Sequence, residues 1–332
     1  MKDYKHTIEH LGKSCKTDGD IVNITDAELN DIKEKFFKPP DDELVYKQFD
    51  SLKNGGIKNN YVNLRYYFQL MCDVKLHNCK WSINEIFSSK ELIGLLVGRI
   101  NKYKKVYYND NIIANLKTGL RISGKPIARK PSDFPLKTAN MILKKYNINN
   151  RYYDFSCGWG VRLLSALIND IEYYGTDPNY LLVDKLNQFK NDWCQHFDQK
   201  TNVDIKCQGS EIFVPEWENK MGLAFSSPPY FNLEDYRHGN QSYNENVSYN
   251  DWLVDYLAPT IDNIHKYLIK GGYLILNIKN FKGYKLESDA ITIIKERGFQ
   301  FIRNEILVNI TRRSSKNKPN DNDEKCFVFQ KI

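Results

Sequence analysis

From Arg151 onward, short runs of apolar and aromatic residues alternate with longer stretches whose apolar positions recur every three or four residues. The runs "YYDFS" (152–156), "IEYYGTD" (171–177), "VDIKCQ" (203–208), "GLAFSS" (222–227), "GYLILNI" (272–278), "FQFIRNEILVNI" (299–310) and "KCFVFQKI" (325–332) predict strands. The stretches "GVRLLSALIND", "NYLLVDKLNQFKNDWCQHF", "YNDWLVDYLAPTIDNIHKYL" and "KLESDAITIIKERG" predict helices between them. Strands that alternate with helices predict an α/β architecture, a mostly parallel, doubly wound sheet of seven strands. The last two runs are joined without a helix, through "TRRSSKNKPNDNDE", which predicts an antiparallel hairpin at the sheet edge. Pro259 falls inside a predicted helix and should kink it.

Residues 1–130 carry a different pattern. "TDAELNDIKEKFFK" and "SINEIFSSKELIGLLVGRINKY" read as helices, each opened by a capping box, Thr25 with Glu28 and Ser82 with Glu85. "KPP" (38–40) and "KNGGIKNN" (53–60) break the pattern, and no internal repeat is visible. The expected organisation is a mainly helical accessory domain over 1–130 and a sheet domain over 131–332.

Composition narrows the class. A chain of 332 residues with 41% hydrophobic content can bury a core. It has no apolar run long enough to cross a bilayer, and its first residues lack the apolar stretch of a secretory signal, so a cytoplasmic location away from membranes is expected. Seven cysteines are scattered, and Cys72 and Cys79, with only His77 between them, lack zinc-site spacing; reduced thiols and no metal are expected. The net charge of +7 is unevenly placed. Residues 131–332 hold as many acidic as basic side chains, whereas 99–130, "RINKYKKVYYNDNIIANLKTGLRISGKPIARK", hold nine basic residues against one acidic, Asp110. A basic strip with interleaved tyrosines suits a polyanion, and a solvated basic face is the other reading of the same pattern. Its candidate phosphate contacts are Lys102, Lys104, Lys105, Arg121 and Arg129, joined by Arg312 and Arg313 in the hairpin loop.

Three strand ends carry polar or flexible residues suited to a ligand. The first strand runs into "DFSCGWG" (154–160), where Gly158 and Gly160 allow a sharp turn and close approach of a ligand to a helix N-terminus. Such a turn alone is often only structural. Asp177 ends the second strand in "GTDPN", where a carboxylate can accept hydrogen bonds from a ribose diol. Ser210 and Glu211 follow the third strand. Together they outline a nucleoside-sized site rather than a dinucleotide fingerprint. The fourth strand stops at Ser227, Pro228, Pro229 and Tyr230, and a polar loop of about twenty residues follows, far longer than the usual connection.

A glycine-turn first strand, an acidic second-strand end and "SPPY" after strand four resemble the S-adenosylmethionine-dependent DNA amino-methyltransferases, over about residues 131–332. The resemblance implies a Rossmann-like methyltransferase sheet. It implies a cofactor site of Asp154, Phe155, Cys157, Gly158, Gly160, Asp177, Ser210 and Glu211, and it aligns "PSDFPLKTANMILKKYN" (131–147), with Phe134, with a helix that closes over the methionine end. It makes Ser227, Pro228, Pro229 and Tyr230 the catalytic tetrapeptide, with DNA as partner.

The chemistry explains such a tetrapeptide. An exocyclic base amine is a poor nucleophile because its lone pair is delocalised into the ring. The Ser227 hydroxyl and Pro228 carbonyl can accept its two N–H bonds, the prolines stiffen those acceptors, and Tyr230 can stack on a flipped base. Within the family that the chain resembles, serine rather than aspartate at the head of the motif is commoner among cytosine enzymes, so the resemblance implies cytosine N4 ahead of adenine N6. The loop after Tyr230 would fold over base or cofactor when DNA arrives; a surface insertion without a role is the other reading of the same stretch. Cys157 lies in the cofactor turn, away from where a pyrimidine-C5 nucleophile is expected, and reads as a packing residue. Too few residues separate the motifs to hold the family's usual target-recognition domain, which leaves recognition to the N-terminal part. Methylation of an RNA base, or a catalytically silent DNA-binding protein of the same fold, are the alternatives.

Overall fold

The computed structural model describes residues 22–102, 116, 120, 128–239, 241–242, 248–281, 283–306 and 325–332, without the side chains of residues 99, 101, 102, 305 and 306. The chain forms two compact units: residues 1–40, 68–131 and 234–237 make the first, and residues 41–67, 132–233 and 238–332 the second. The expected contacts Lys104, Lys105, Arg121, Arg312 and Arg313 lie outside the described residues, as does the side chain of Lys102. Arg129 is exposed.

In the first unit, α1 (Asp26–Phe37) begins at the expected box, with Thr25 Oγ1 accepting from the Glu28 N–H and the Glu28 carboxylate accepting from the Thr25 N–H. After α2 (Asp42–Lys53) and α3 (Asn60–Val62), which belong to the second unit, a π turn (Asn63–Tyr67) leads into α4 (Phe68–Asp73), where the chain re-enters the first. Strand β1 (Lys75–Leu76), α5 (Ile83–Phe87), capped by the predicted Ser82–Glu85 box, and α6 (Lys90–Lys102) complete it. Phe36 packs on Phe87 with ring centroids 4.1 Å apart and on Phe68 at 5.6 Å, and Phe37 closes the cluster. A short antiparallel ladder joins β1 to β6 (Glu234–Asp235), from the long loop after Tyr230, and Arg237 pairs with Glu85 at 3.3 Å. The sequence pattern contains no signal for this two-residue ladder.

The second unit is the seven-stranded sheet. Its strands are β2 (Arg151–Asp154), β3 (Glu172–Thr176), β4 (Val203–Lys206), β5 (Met221–Ser226), β7 (Leu268–Ile278), β8 (Phe299–Ile306) and β9 (Lys325–Lys331). They lie in the order β4-β3-β2-β5-β7-β9-β8, the first five parallel, with β9 antiparallel to both β7 and β8. This is the expected doubly wound, Rossmann-like sheet with an antiparallel terminal hairpin; the final strand inserts between β7 and β8, leaving β8 at the edge. Strand β5 is buried at every position, as a central parallel strand covered on both faces must be. Helices α7 (Leu136–Tyr146), α8 (Val161–Ile168) and α9 (Tyr180–Phe197) precede the crossover to β4, and α10 (Tyr249–Trp252), α11 (Ala258–Tyr267) and α12 (Leu286–Glu296) follow β5. The irregularity expected at Pro259 takes the form of a π turn, Leu253–Leu257, between α10 and α11.

Strand order reverses at β2, whose neighbours are β3 on one side and β5 on the other. Ligands in open α/β sheets bind at the carboxyl ends of strands beside such a switch point.

Helix α2 packs against α9: Phe49 is fully buried against Trp193 (5.0 Å) and Phe189 (5.9 Å), and Tyr46 stacks on His196 at 5.1 Å. His196, which the sequence leaves as a plain helix residue, also bonds Asp50 at 2.8 Å. Phe49→Ala should therefore destabilise the sheet unit by about 3–5 kcal/mol. Urea denaturation followed by tryptophan fluorescence checks this, and a change below about 1 kcal/mol would place α2 outside that core.

Candidate active site

Between β2 and α8 the chain needs two residues at positive φ, and glycine occupies both: Gly158 at +54° and Gly160 at +69°. Gly160 is the N-cap of α8 and no side chain caps it. The first bond back along the helix runs from the Leu164 N–H to the Gly160 carbonyl, which leaves the N–H groups of Val161, Arg162 and Leu163 without an intrahelical acceptor. Such a turn offers donors and a positive dipole end to an anion.

The floor of this turn is held by Arg162, the one charged residue in the mostly apolar "VRLLSALI" of α8. Its Nε donates to Asp154 Oδ2 at 2.9 Å, and its terminal nitrogen donates to the Ser156 carbonyl and, at 3.1 Å, to Ser226 Oγ. The Tyr173 hydroxyl donates to the same Asp154 oxygen at 3.0 Å, and Ser226 Oγ donates to the Ser156 carbonyl. Asp154 is wholly buried and its carboxylate is engaged by this network. Phe155 is a core residue. Cys157 is buried with its sulfur against Gly175, where an added Cβ would approach to 2.6 Å, and burial above all pushes its thiol pKa well up. A buried, protonated thiol is a poor nucleophile. These three residues of the motif build the turn; Gly158 and Gly160 form its rim.

Asp177 follows the end of β3 beside the turn. Its Oδ1 accepts from the Asn179 N–H at 3.0 Å and its Oδ2 from the Gly158 N–H at 3.3 Å, so the second strand end and the glycine turn are tied together. Each oxygen keeps a lone pair for a further donor. Burial raises the Asp177 pKa from 3.8 to about 6, and the two backbone donors oppose that rise. Ser210 is buried, its hydroxyl 2.9 Å from Thr260 Oγ1 and its carbonyl accepting from Asn263 Nδ2. The Glu211 carboxyl lies over Gly209, whose added Cβ would meet it at 2.2 Å. Tyr256, for which the sequence gives no signal, joins the group. Burial raises its hydroxyl pKa, with Glu211 and Asp177 adding to the shift.

The tetrapeptide follows Ser226, which Arg162 ties to the glycine turn. Ser227 Oγ lies 3.2 Å from the Tyr230 hydroxyl, and that hydroxyl lies 3.4 Å from the carbonyl and 3.5 Å from Oδ1 of Asn277, at the end of β7. Asn277 is itself buried and fixed by a bond from its Nδ2 to the Lys325 carbonyl. Pro228 is buried, Pro229 and Tyr230 half-buried. The turn then closes on Phe231, a buried non-glycine residue at φ +54°. A left-handed aromatic is strained by about 1 kcal/mol or more, and such strain persists where its surroundings fix it. Phe134 meets Phe225 edge-on at 5.3 Å and lies within 5.8 Å of the Arg162 guanidinium, which brings the α7 lead-in to the same strand ends. Further along, the long loop returns beside the Asp177 turn: a Cβ on Gly239 would meet the Pro178 carbonyl oxygen at 2.6 Å.

Sequence reasoning missed Arg162, Tyr256 and Asn277. A lone arginine in an apolar helix was the visible signal for the first; the other two depend on which helix and strand the fold brings to the site. Among the described residues no cluster could hold a metal ion, and no helix is long and apolar enough to cross a membrane.

No protein-family model matches the chain, and no curated protein sequence does. Among solved structures the chain is similar to a TehB-like S-adenosylmethionine-dependent methyltransferase from Corynebacterium glutamicum, at 13% identity over 59% of this chain and 88% of that one, TM-score 0.40. It is also similar to an S-adenosylmethionine-dependent methyltransferase from Clostridium acetobutylicum, at 10% identity over 60% and 93%, TM-score 0.41. A third similar structure is the [4+2]-cyclase SpnF, at 13% identity over 59% and 80%, TM-score 0.40.

The Asp177 shift has a stability consequence of definite sign. With a folded pKa near 6 and an ordinary value of 3.8, the native state holds a proton that the unfolded chain has released across that window. The contribution of Asp177 to stability is therefore present at low pH and lost as pH rises from about 4 to 6, by about 3 kcal/mol in all. Relative to Asp177→Asn, the wild-type chain should lose most of this between pH 4 and pH 7 in urea titrations. Parallel pH profiles of the two proteins would contradict it.

Proposed function

We propose that the chain is an S-adenosylmethionine-dependent methyltransferase whose acceptor is the exocyclic amine of a DNA base, cytosine N4 ahead of adenine N6. The observation that carries this reading is the joining of three strand ends into one site. Asp177 binds the Gly158 N–H, Arg162 links the glycine turn to Ser226, and Ser227 and Tyr230 follow at once.

The residues fit the cofactor. The Gly158–Gly160 turn opens onto an uncapped helix N-terminus suited to a carboxylate, and the Asp177 oxygens, each with a lone pair left, suit a ribose diol. When bound, S-adenosylmethionine supplies an electrophilic methyl on a sulfonium. The protein's own part is to hold and polarise the amine. Ser227 Oγ and the Pro228 carbonyl accept hydrogen bonds from its two N–H groups as nitrogen turns tetrahedral, which raises negative character on nitrogen, and the proton that the methylated amine sheds passes to solvent. The Tyr230–Asn277 contact limits where Ser227 can point. The ring of Tyr230 offers a stacking face to an extruded base, an interaction worth roughly 1–3 kcal/mol. Phosphate contacts are assigned to the strip with Lys102, Lys104, Lys105, Arg121 and Arg129, and to Arg312 and Arg313.

Incubation of the full chain with radiolabelled S-adenosylmethionine and either DNA or RNA, followed by nucleoside analysis, tests the reading. Label is expected in N4-methylcytosine or N6-methyladenine of DNA. Label confined to RNA would move the substrate to RNA, and cofactor binding without transfer to either would indicate a silent protein. Ser227→Ala should slow single-turnover transfer by roughly tenfold or more with DNA and cofactor affinity nearly unchanged, because the missing acceptor acts mainly in the transition state. An unchanged rate would remove Ser227 from the chemistry. Neutralising Lys102, Lys104 and Lys105 together should flatten the salt dependence of DNA binding, by a slope of roughly 0.9 for each phosphate that is no longer neutralised.

A further inference from the structure

Tyr67 ends the π turn of residues Asn63–Tyr67, in a stretch of sequence that carries no motif. Its side chain is 1% exposed, and its hydroxyl has no hydrogen-bond partner among the described residues. A buried hydroxyl left unpaired costs about 1–3 kcal/mol, so native proteins keep few of them. The direction of this one is specific. A Cβ built on Gly160 would meet the Tyr67 hydroxyl oxygen at 2.2 Å, so the phenol sits directly against the glycine that caps α8. Glycine is required there twice over, by its φ of +69° and by this contact.

The neighbours of the hydroxyl specify the ligand chemistry. The N–H groups of Val161, Arg162 and Leu163 open beside it and favour an anion. Burial above all keeps the phenol protonated, with Tyr66, Cys157 and Asp133 pushing its pKa up further, so it stands ready as a donor rather than as a charge. Asp133 comes from the lead-in to α7 and is held by a bond from Asn63 Nδ2 at 2.6 Å. A neutral donor and a helix N-terminus with an acidic side chain close by form the complement of an α-amino-acid end, with its carboxylate and ammonium.

We propose that Tyr67 is a ligand-binding residue whose hydroxyl donates a hydrogen bond to the carboxylate of the cofactor's methionine moiety at the N-terminus of α8. The inference rests on the cofactor reading above and assigns to the segment before α4 a direct part in the site. Tyr67 then reads the amino-acid end of the ligand, while Asp177 reads its ribose.

Calorimetric titration of the full chain with two ligands separates this from the reading it rests on. S-adenosylhomocysteine carries the amino-acid end, and 5′-methylthioadenosine lacks it. Tyr67→Phe should weaken S-adenosylhomocysteine by roughly tenfold or more, since a hydrogen bond to a charged group is removed, and leave 5′-methylthioadenosine within about twofold. Its melting temperature without ligand should equal or exceed that of the wild type, because the change removes an unpaired buried hydroxyl; a merely structural hydroxyl would lower it. Equal affinity of wild type and Tyr67→Phe for S-adenosylhomocysteine, or equal weakening of both ligands, would overturn the proposal. If the wild-type chain binds neither ligand, the cofactor reading itself falls.

Discussion

The site depends on one buried ion pair. Asp154 at the end of β2 and Arg162 in the first turn of α8 are both withdrawn from water and lie 2.9 Å apart. A charge buried alone would cost several kcal/mol, so each holds the other in place, and one terminal guanidinium nitrogen donates to the Ser156 carbonyl and to Ser226 Oγ. The result is a clamp between β2 and β5, the two strands that flank the switch point. Gly158 and Gly160 can keep left-handed conformations, and the tetrapeptide can start at a fixed position, because this clamp fixes the strand ends from beneath.

Upon that base, polar groups at the strand ends are arranged in pairs. Asp177 binds the backbone of the glycine turn; Ser227 meets Tyr230, which meets Asn277. Phe231 stays left-handed because its ring is locked among Tyr249, Trp252 and Tyr284. The loop after it lends residues 234–237 to the helical unit, where β6 pairs with β1. Residues 234–237, three residues beyond the tetrapeptide, thus belong to the first unit.

Much of the sheet was legible because parallel strands buried on both faces read as short apolar runs, and because Gly158, Gly160 and the two prolines restrict backbone conformation in ways sequence reports directly. The capping boxes at Thr25 and Ser82 were legible for the same local reason. Roles that depend on tertiary placement were not. Asp154 has the position of a ligand-binding acid in the motif, yet its carboxylate is occupied by Arg162 and Tyr173, a fact set by a helix and a neighbouring strand. Helix α2 reads as part of the N-terminal region by sequence position, while Phe49 is buried against α9 in the sheet unit. Tyr67 was invisible because nothing in "NLRYYFQL" says which tyrosine faces a glycine ninety-three residues later.

The measurement that bears most directly on the central claim is a crystal structure of the full chain with S-adenosylhomocysteine. The account predicts one bound molecule at the carboxyl ends of β2, β3 and β5, with ribose hydroxyls on Asp177, the amino-acid carboxylate at the α8 N-terminus, and the sulfur facing Ser227 and Tyr230. A ligand bound away from these strand ends, or a site at Gly158–Gly160 that stays empty at saturating ligand, would contradict it.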